Sequence, residues 1–402
     1  MEHSKFSQIA AWTVGEGLAG HLETAILDGF CERAVAMGLP LANAQVIIDT
    51  LHPIYEGHAC RWERGQKETA LIEYGRTNVG EAAEFWRTSP YNRLLQSGKT
   101  SMRWRLTEEV GVEYPVLAKS RASGMTDFLC IINRFAPEGI IGEMDCVYSG
   151  WTTDSPQGFS DSDLAALNGL LPYLALAMKS ASLARQTKTL METYLGRDAS
   201  RLVLEGRIAR GVADRIDAAL WFSDLRGYTK ITDTSAPEQI IPMLNDYADS
   251  AISAIHQQGG DVLKLIGDGV LAIFRADDPQ AACKLAITAA VEARKAIAVL
   301  NERRKAEELP TTEMYLGLHT GQVFFGNIGS KDRLDFTIVG PAVNETSRIA
   351  TMCRSVDQPL LVSQRFADCL GDAGPGLASV GRFALRGVGA SQDLYTIDST
   401  RP

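Results

Sequence analysis

Apolar residues in the second half of the chain form short continuous runs and longer helical repeats. The runs at 218–222, 262–266 and 270–274 have strand length and are bounded by turn residues, which predicts buried strands. Residues 237–258 repeat at helical spacing, and a second long helix is predicted at 279–309.

The remaining runs complete one pattern of elements. Strands are predicted at 314–318, 323–325 and 336–339, a helix at 341–353, and closing strands within 377–395. The resulting order β-α-β-β-α-β is typical of a ferredoxin-like core with additional secondary-structure elements.

The first half combines helices with several short strand-like runs. Leu22, Ile26 and Phe30 recur at helical spacing, and Gly38 with Pro40 ends that helix. Strand-like runs lie at 45–51, 59–62, 69–74, 127–135 and 143–149, and 81–97 has a helical pattern. This pattern predicts an α+β domain over residues 1–160.

A connecting helix is predicted over residues 161–196. Ser160 or Asp161 caps its start, and Phe159 can pack on Leu164. Apolar positions then alternate at spacings of three and four, namely Leu164, Leu167, Leu171, Leu174, Met178 and Ala181. The spacing predicts a parallel coiled coil between two copies, although Pro172 leaves a helix packed on its own domain as the alternative.

Composition narrows the classes of protein that fit. The 402 residues suggest two or three domains, and 45% hydrophobic with 22% charged residues is typical of a soluble protein. A net charge of −9, without a compact basic patch, argues against a nucleic-acid partner. The seven cysteines are scattered, which predicts reduced thiols. The sequence has neither a signal-peptide pattern nor a long apolar window, so we expect a cytoplasmic protein without a membrane span.

Two aspartates follow short apolar runs. Asp224 lies where the first strand ends, and Asp268 lies at the tip of a hairpin in Gly267-Asp268-Gly269. Either residue alone is explained as well by a helix cap or a turn. Two carboxylates at neighbouring strand ends repel each other unless a cation such as Mg²⁺ lies between them, so the pair predicts a metal site.

Three segments carry a resemblance to a known family. ALWFSDLRGYT at 219–229, GDGVLAIF at 267–274 and GPAVNETSRIA at 340–350 resemble the class III nucleotidyl cyclase catalytic domain, in the family's order. The resemblance covers residues 216–397 and implies a catalytic domain over 216–402. It further implies an adenylate cyclase of the bacterial type, which converts ATP to 3′,5′-cyclic AMP and pyrophosphate. Alternatives are a cyclase for GTP or a pyrimidine nucleotide, or a nucleotide-binding regulator without catalysis.

The resemblance also implies roles for individual residues. Asp224 and Asp268 would hold two Mg²⁺ or Mn²⁺ ions, and backbone N–H groups of 225–229 would face the phosphates. Asn344 would orient the ribose, and Arg348 would stabilise charge on the α-phosphoryl group. Pro341, Glu345 and Thr346 depart from the family's usual residues at positions without a catalytic role.

Base and phosphate contacts are implied in the same way. Lys264 and Thr337 match the positions that contact adenine, where guanylate cyclases usually have Glu and Cys. Arg386 matches a late basic residue that grips the terminal phosphates, and Arg333 is a second phosphate contact. Because the family builds each site from two subunits, one chain with every residue implies a homodimer.

The front domain resembles a GAF or PAS sensor. Such domains bind a small ligand or serve as a dimerisation platform, and the sequence leaves both open. His52 and His58, near Cys60 and Trp62, could be pictured as a haem or metal site, but ordinary packing is the favoured explanation. Trp86 and Tyr91 fit a pocket and a core equally well. Residues 197–215 are predicted to form a loop-like linker, or a transducer element by analogy with the family.

Overall fold

The computed structural model describes residues 3–78, 80–107, 114–136, 142 and 144–398. The chain divides into two compact units, Met1–Leu190 and Met191–Pro402. The predicted boundary between the front domain and its connecting helix therefore falls inside the first unit, because most of that helix packs with the residues before it.

The first unit has an α+β fold around one antiparallel sheet. Its helices are α1 (His3–Ala19), α2 (Glu23–Ala36), α3 (Gly80–Arg87), α4 (Pro90–Ser97), α5 (Pro115–Ala122) and most of α6 (Asp161–Leu195). Its strands are β1 (Asn43–Asp49), β2 (Gly57–Glu63), β3 (Ala70–Tyr74), β4 (Ser101–Arg105), β5 (Asp127–Arg134) and β6 (Cys146–Thr153). They form a six-stranded sheet in the order β3-β2-β1-β6-β5-β4.

The two faces of this sheet have different coverings. Because side chains alternate along a strand, Val46 and Ile48 of β1 face the core with α1, α2 and α6, while Ile47 lies on the opposite face. The opposite face carries aromatic residues of β4 and β5, including Trp104, and packs against α4, which contributes Tyr91. The predicted α+β class is confirmed by this arrangement.

Several elements of the first unit differ from the prediction. The helical pattern at 81–97 is two helices, since Pro90 begins a new helix whose cap Ser89 accepts a hydrogen bond from Asn92 N. The last strand lies at Cys146–Thr153 rather than 143–149, and Glu143 is outside the described residues. Sequence patterns gave no indication of α1, β4 or α5.

The predicted heptad seam of α6 is buried within its own protomer. Leu167, Leu171, Leu174, Met178 and Ala181 belong to the core of the first unit, and Leu164 packs against it. Gly17 of α1 lies so close that an added Cβ would be 2.9 Å from Ala177 Cα. The structure therefore supports the alternative of a helix packed on its own domain, and Pro172 does not interrupt it.

Helix α6 also meets the length and composition of a membrane span. Its most apolar window has a mean hydropathy of 1.2, and half of that window is buried inside the protein. Since core helices pass the same test, the burial of the seam is sufficient to explain this composition.

The two histidines of the front domain have local structural partners. His52 Nδ1 accepts hydrogen bonds from the backbone N–H groups of Ile54 and Tyr55, which is a turn contact. His58 is buried with its Nε2 3.3 Å from the Glu23 carboxylate. Across the described part of the chain, no group of three or more His, Cys, Asp or Glu side chains is arranged to hold a metal.

The second unit is built on a larger mixed sheet. Its helices are the end of α6, α7 (Arg197–Leu204), α8 (Tyr228–Thr234), α9 (Pro237–Gln257), α10 (Pro279–Ala306), α11 (Pro341–Val356) and α12 (Gln364–Leu370). Its strands are β7 (Ala213–Leu225), β8 (Asp261–Ile266), β9 (Gly269–Phe274), β10 (Met314–Gly329), β11 (Leu334–Val339), β12 (Leu360–Ser363), β13 (Leu377–Phe383) and β14 (Gln392–Ile397).

The strand order confirms the predicted ferredoxin-like core. The main path of the sheet is β13-β14-β12-β10-β7-β9-β8, and β11 pairs with β10. Within it, β7, β8, β9 and β10 are the four strands of β-α-β-β-α-β in the order 4-1-3-2. Helices α9 and α10 cover one face, where Tyr247 and Ala286 pack near Trp221.

Two predictions for the second unit need correction, and two short elements are additional. Residues 314–325 were expected as two strands but belong to the continuous strand β10, which pairs with β7 from Met314 to Gly326. The predicted linker 197–215 contains α7, which is helical because Ala199 and Leu202 bury an apolar face against the sheet. The short elements β12 and α12 were not predicted.

Candidate active site

Asp224 is the penultimate residue of β7, in the middle of the sheet. It lies opposite Tyr315 of β10, and its Oδ1 atom is buried without a hydrogen-bond partner among the described residues. Burial and the charge of Asp268 raise the pKa of Asp224 to about 6, and Arg354 acts in the opposite direction. The Asp224 carboxylate therefore lacks enough nearby positive charge to balance its own negative charge.

Asp268 lies at the tip of the β8–β9 hairpin, as predicted. Its Oδ2 accepts a hydrogen bond from Leu225 N at 3.0 Å, which ties the hairpin tip to the end of β7. Gly269 permits this approach, because an added Cβ would be 2.6 Å from Ser223 O. The two aspartates that the sequence singled out are thus brought together within one protomer.

A cavity of about 170 Å³ adjoins both aspartates. Its other walls are largely apolar and include Leu244 and Tyr247 of α9 and Met314 of β10. An apolar wall beside two carboxylates lowers the local dielectric constant, which strengthens the attraction of this edge for cations.

The loop after Asp224 offers fewer free donors than the sequence suggested. The N–H of Leu225 is engaged by Asp268, and the N–H of Arg226 donates to Glu313 O at 2.8 Å. These two N–H groups are therefore engaged within the protein, and the prediction that N–H groups of 225–229 face the phosphates concerns the remaining residues of the segment.

Lys264 and Thr337 lie on neighbouring parts of the same sheet. Lys264 of β8 donates a hydrogen bond and forms an ion pair with Asp335, two residues before Thr337 on β11. Residues two apart on a strand share a face, so Asp335 and Thr337 are on the same side of β11. Asp335 was not identified from the sequence, because nothing local marks a partner 71 residues away.

Asn344 and Arg348 occupy the first turns of α11 and are exposed on one face, four residues apart. The helix lies directly on the sheet, since a Cβ added to Gly317 of β10 would be 2.5 Å from Ala350 N. Within the described residues, the guanidinium of Arg348 has neither an ion pair nor a hydrogen bond. It is available to an anionic ligand.

A partly buried polar chain fixes the same helix. Glu345 of α11 accepts a hydrogen bond from Gln392 Nε2 at 2.7 Å and lies 3.6 Å from Nε2 of His319 on β10. His319 Nδ1 lies 2.8 Å from Ser363 Oγ. Burial lowers the pKa of His319 to about 4, although Glu345 acts against the shift, so the ring is neutral near pH 7.

The departures from the family pattern at Glu345 and Thr346 therefore have structural explanations. Glu345 is a member of the polar chain, and Thr346 is buried with its hydroxyl donating to Ala342 O at 2.7 Å. His319 was missed by sequence reasoning, since a single histidine in a strand carries no signal of its partner.

The two predicted phosphate contacts are exposed and separate from the aspartates. Arg333 lies in the turn between β10 and β11, where its N–H donates to Ser330 Oγ. Arg386 lies in the connection between β13 and β14, next to the buried Leu385. In the described ranges, no hydrogen bond or ion pair joins either arginine, Asn344 or Arg348 to Asp224 or Asp268.

Comparison with known proteins relates the second unit to one family. Residues 213–399 match the family model of the adenylate and guanylate cyclase catalytic domain. The matched residues include the strands of the ferredoxin-like core and the paired aspartates.

Among curated proteins, the adenylate cyclase of Anabaena cylindrica is 33% identical over 158 residues, or 38% of this chain and 31% of that protein. Adenylate cyclase 1 of Rhizobium meliloti is 27% identical over 220 residues, or 52% of this chain and 32% of that protein. The chain thus spans about a third of the length of these relatives.

Among solved structures, the adenylyl cyclase CyaB from P. aeruginosa aligns with a TM-score of 0.44 and 25% identity, covering 47% of this chain and 97% of that one. The guanylyl cyclase Cya2 aligns with a TM-score of 0.41 and 28% identity, covering 46% of this chain and 93% of that one.

Proposed function

We propose that the protein is an adenylate cyclase, which converts ATP to 3′,5′-cyclic AMP and pyrophosphate. The observation that carries this proposal is the pair Asp224 and Asp268 at one sheet edge, with a buried Asp224 oxygen that has no partner among the described residues. A carboxylate pair in that condition is suited to divalent cations, and the domain match supports a nucleotide as the substrate class.

Two Mg²⁺ or Mn²⁺ ions per site would be held by Asp224 and Asp268. Two carboxylates are an incomplete ligand set, and phosphate oxygens or water would fill the remaining positions. When bound, the ions would make the ribose 3′-hydroxyl more acidic and neutralise charge on the triphosphate.

Adenine is favoured over guanine by the donors and acceptors near Lys264. Adenine presents an acceptor at N1 beside a donor amino group, which complements an ammonium next to the Thr337 hydroxyl and the Asp335 carboxylate. Guanine presents the reverse pattern, a donor at N1 beside an acceptor oxygen. An ammonium of Lys264 placed at the N1 position would thus disfavour GTP.

Asn344 would orient the ribose, and Arg348 would stabilise the negative charge that grows on the α-phosphoryl oxygens. Arg386, with Arg333, would bind the terminal phosphates by charge-assisted hydrogen bonds. Because no polar contact links these residues to the aspartates in the described part of one protomer, we infer that a homodimer supplies them across its interface.

The first unit would act as a GAF-like sensor of a cytoplasmic signal. Its antiparallel sheet and separate core are compatible with such a domain. The residues between α6 and β7, including α7, would serve as the transducer. This regulation is tested by comparing the rate of the full chain with that of residues 191–402.

The decisive experiment incubates the purified full chain with ATP, GTP, CTP or UTP and Mg²⁺ or Mn²⁺, and identifies cyclic products by mass spectrometry. Cyclic AMP as the main product supports the proposal. A cyclic GMP or cyclic pyrimidine product replaces the substrate assignment but keeps the reaction class. Nucleotide binding without any cyclic product would identify a catalytically silent regulator.

A further inference from the structure

The first unit contains a cavity of about 270 Å³ on the sheet face opposite α1, α2 and α6. The strands β1, β2 and β3 form the floor of the cavity. Helix α3 lies over the cavity, and none of the α3 residues is buried. Trp86 and Tyr91, which the sequence left undecided between pocket and core, both line this cavity.

The strand register divides the cavity floor into three rows. Gln45 pairs with Arg61 at one end, and Ile47 pairs with Ala59 in the middle. Asp49 pairs with Gly57 at the other end, and Gly57 in turn pairs with Tyr74 of β3. Four residues along β1 separate the end rows, which corresponds to about 13 Å.

The row at Asp49 is an enclosed acidic end. Tyr74 donates from its hydroxyl to Asp49 Oδ1 at 2.6 Å, across a glycine whose Cβ would overlap that hydroxyl. Glu56 lies at the same end and accepts a hydrogen bond from Thr77 N at 2.6 Å. Both carboxylates are therefore held in place, and both line the cavity.

The acidic end produces a negative potential inside the cavity. Burial raises the pKa of Tyr74 far above its usual range, and Asp49 and Glu56 raise it further. Asp49 also contributes to the raised pKa of Tyr148, after burial and Cys146. A potential that disfavours a phenolate favours a cation at the same place.

The electrostatic field is weaker at the opposite end of the cavity, where Gln45 and Arg61 lie. Among the described lining residues Arg61 is the cation, but it is exposed to solvent and its Nε donates to Gln45 Oε1 at 3.2 Å. Solvent screens an exposed charge more than the half-buried carboxylates of Asp49 and Glu56. The described lining residues therefore favour a cation at the Asp49 end of the cavity.

Aromatic residues of α3, α4 and β6 border the apolar row of Ile47 and Ala59. Trp86 packs edge-on against Tyr148 with ring centroids 5.6 Å apart, and Tyr91 lies 6.2 Å from the same ring. Aromatic faces attract cations and stack with rings. A cavity of about 150 Å³ accommodates benzene, so this one has room for a ring and a short chain.

We propose that this cavity binds a small organic cation, in which an ammonium group faces Asp49 and Glu56 and an apolar ring lies against Trp86 and Tyr148. The proposal concerns the first unit alone and does not depend on the cyclase activity of the second. It gives the predicted sensor a ligand class, which sequence reasoning left open.

The test measures binding to the full chain by isothermal titration calorimetry. The cationic probes are phenethylamine and benzyltrimethylammonium, and the matched probes are neutral 2-phenylethanol and anionic 3-phenylpropionate. We expect saturable binding of a cation at least about tenfold tighter than either matched probe. Preference for the neutral or anionic probe, or failure of both cations to bind the folded chain, overturns the proposal.

Variants locate the binding to this cavity. Asp49→Asn keeps an acceptor for Tyr74 but removes the charge, and should weaken binding of the cation by about tenfold. Ala59→Leu fills the apolar row and should abolish binding with the charges intact. Glu63→Gln removes an exposed charge from the same strand and should change nothing. Equal affinity in Asp49→Asn and Glu63→Gln, or undiminished binding to Ala59→Leu, contradicts the assignment.

Discussion

Glu345 on α11 and His319 on β10 lie 3.6 Å apart, from Oε2 to Nε2, in a partly buried polar chain that ends at Gln392 and Ser363. Glu345 directly follows Asn344 in the sequence and lies three residues before Arg348. The contact therefore fixes the helix that carries both proposed transition-state residues, without touching the substrate itself.

Replacement of His319 by Leu should lower kcat more than it changes KM for ATP. The change leaves the partly buried Glu345 without its imidazole neighbour, and a displacement of about 1 Å in a catalytic group can cost about 10²-fold in rate. Steady-state kinetics and a thermal melt measure the two effects.

A matched double variant distinguishes positioning from simple instability. Converting both His319 and Glu345 to Leu removes the unpaired charge and should recover the melting temperature without recovering kcat. Full recovery of kcat in the double variant would show that the polar chain serves stability alone.

Asp224→Asn should abolish cyclisation and also the stabilisation of the protein by Mn²⁺. An amide cannot replace the charge that a divalent ion requires, and it leaves the strand unaltered. Thermal melts with and without Mn²⁺ report cation binding separately from activity. Asp217→Asn, an exposed change on the same strand, is the control and should keep both properties.

Mixing two inactive variants should restore activity if each site is shared between protomers. Asp224→Asn and Arg348→Ala chains should each be inactive as homodimers, while a mixed dimer has one intact site. Random re-association of equal amounts predicts about a quarter of the wild-type rate. No recovery, in a mixture shown by mass spectrometry to contain the mixed dimer, would argue for sites within single protomers.

Asp335→Asn should raise KM for ATP and reduce the preference for ATP over GTP. Without its carboxylate partner, Lys264 loses the contact that aligns it beside Thr337. The pair is about 40% exposed on each side, so its loss should change the free energy of unfolding by less than about 1 kcal/mol. Lys331→Gln, an exposed change near the same strand, should leave the KM ratio unaltered.

Asp261→Asn should stabilise the protein above about pH 6. Asp261 is buried and accepts a hydrogen bond from Arg197 N, and burial raises its pKa from 3.8 to about 6. The folded state therefore holds a proton that the unfolded state has lost, and stability falls as pH rises through this window.

The amide keeps the acceptor for Arg197 N without ever becoming charged. We expect a gain on the order of 1–2 kcal/mol in the free energy of unfolding at about pH 8, and none at about pH 4. Urea unfolding at the two pH values measures the difference. An equal gain at both would exclude titration of Asp261 as the cause.

Local patterns were sufficient to predict much of the second unit. The strand before Asp224 and the glycine-flanked hairpin at Asp268 are encoded by neighbouring residues, and both were located before the fold was known. The order of elements then predicted the ferredoxin-like core, because β-α-β-β-α-β leaves few ways to pair the strands.

Contacts between distant segments were not predictable in the same way. The pairs Lys264–Asp335 and His319–Glu345 join separate elements, and neither residue's neighbours indicate its partner. The α6 seam shows a related difficulty, since a heptad spacing specifies an apolar stripe but not the surface that covers it. Its partner is the core of its own unit.

The buried Asp224 Oδ1 atom, which has no hydrogen-bond partner among the described residues, makes the stability of this protein depend on the concentration of divalent cations. A buried carboxylate without compensation makes the empty fold less stable than the same fold with cations bound, and ligands that bind only the folded state shift its unfolding equilibrium by mass action. Scarcity of divalent ions would then shorten the lifetime of each molecule as well as slow its turnover.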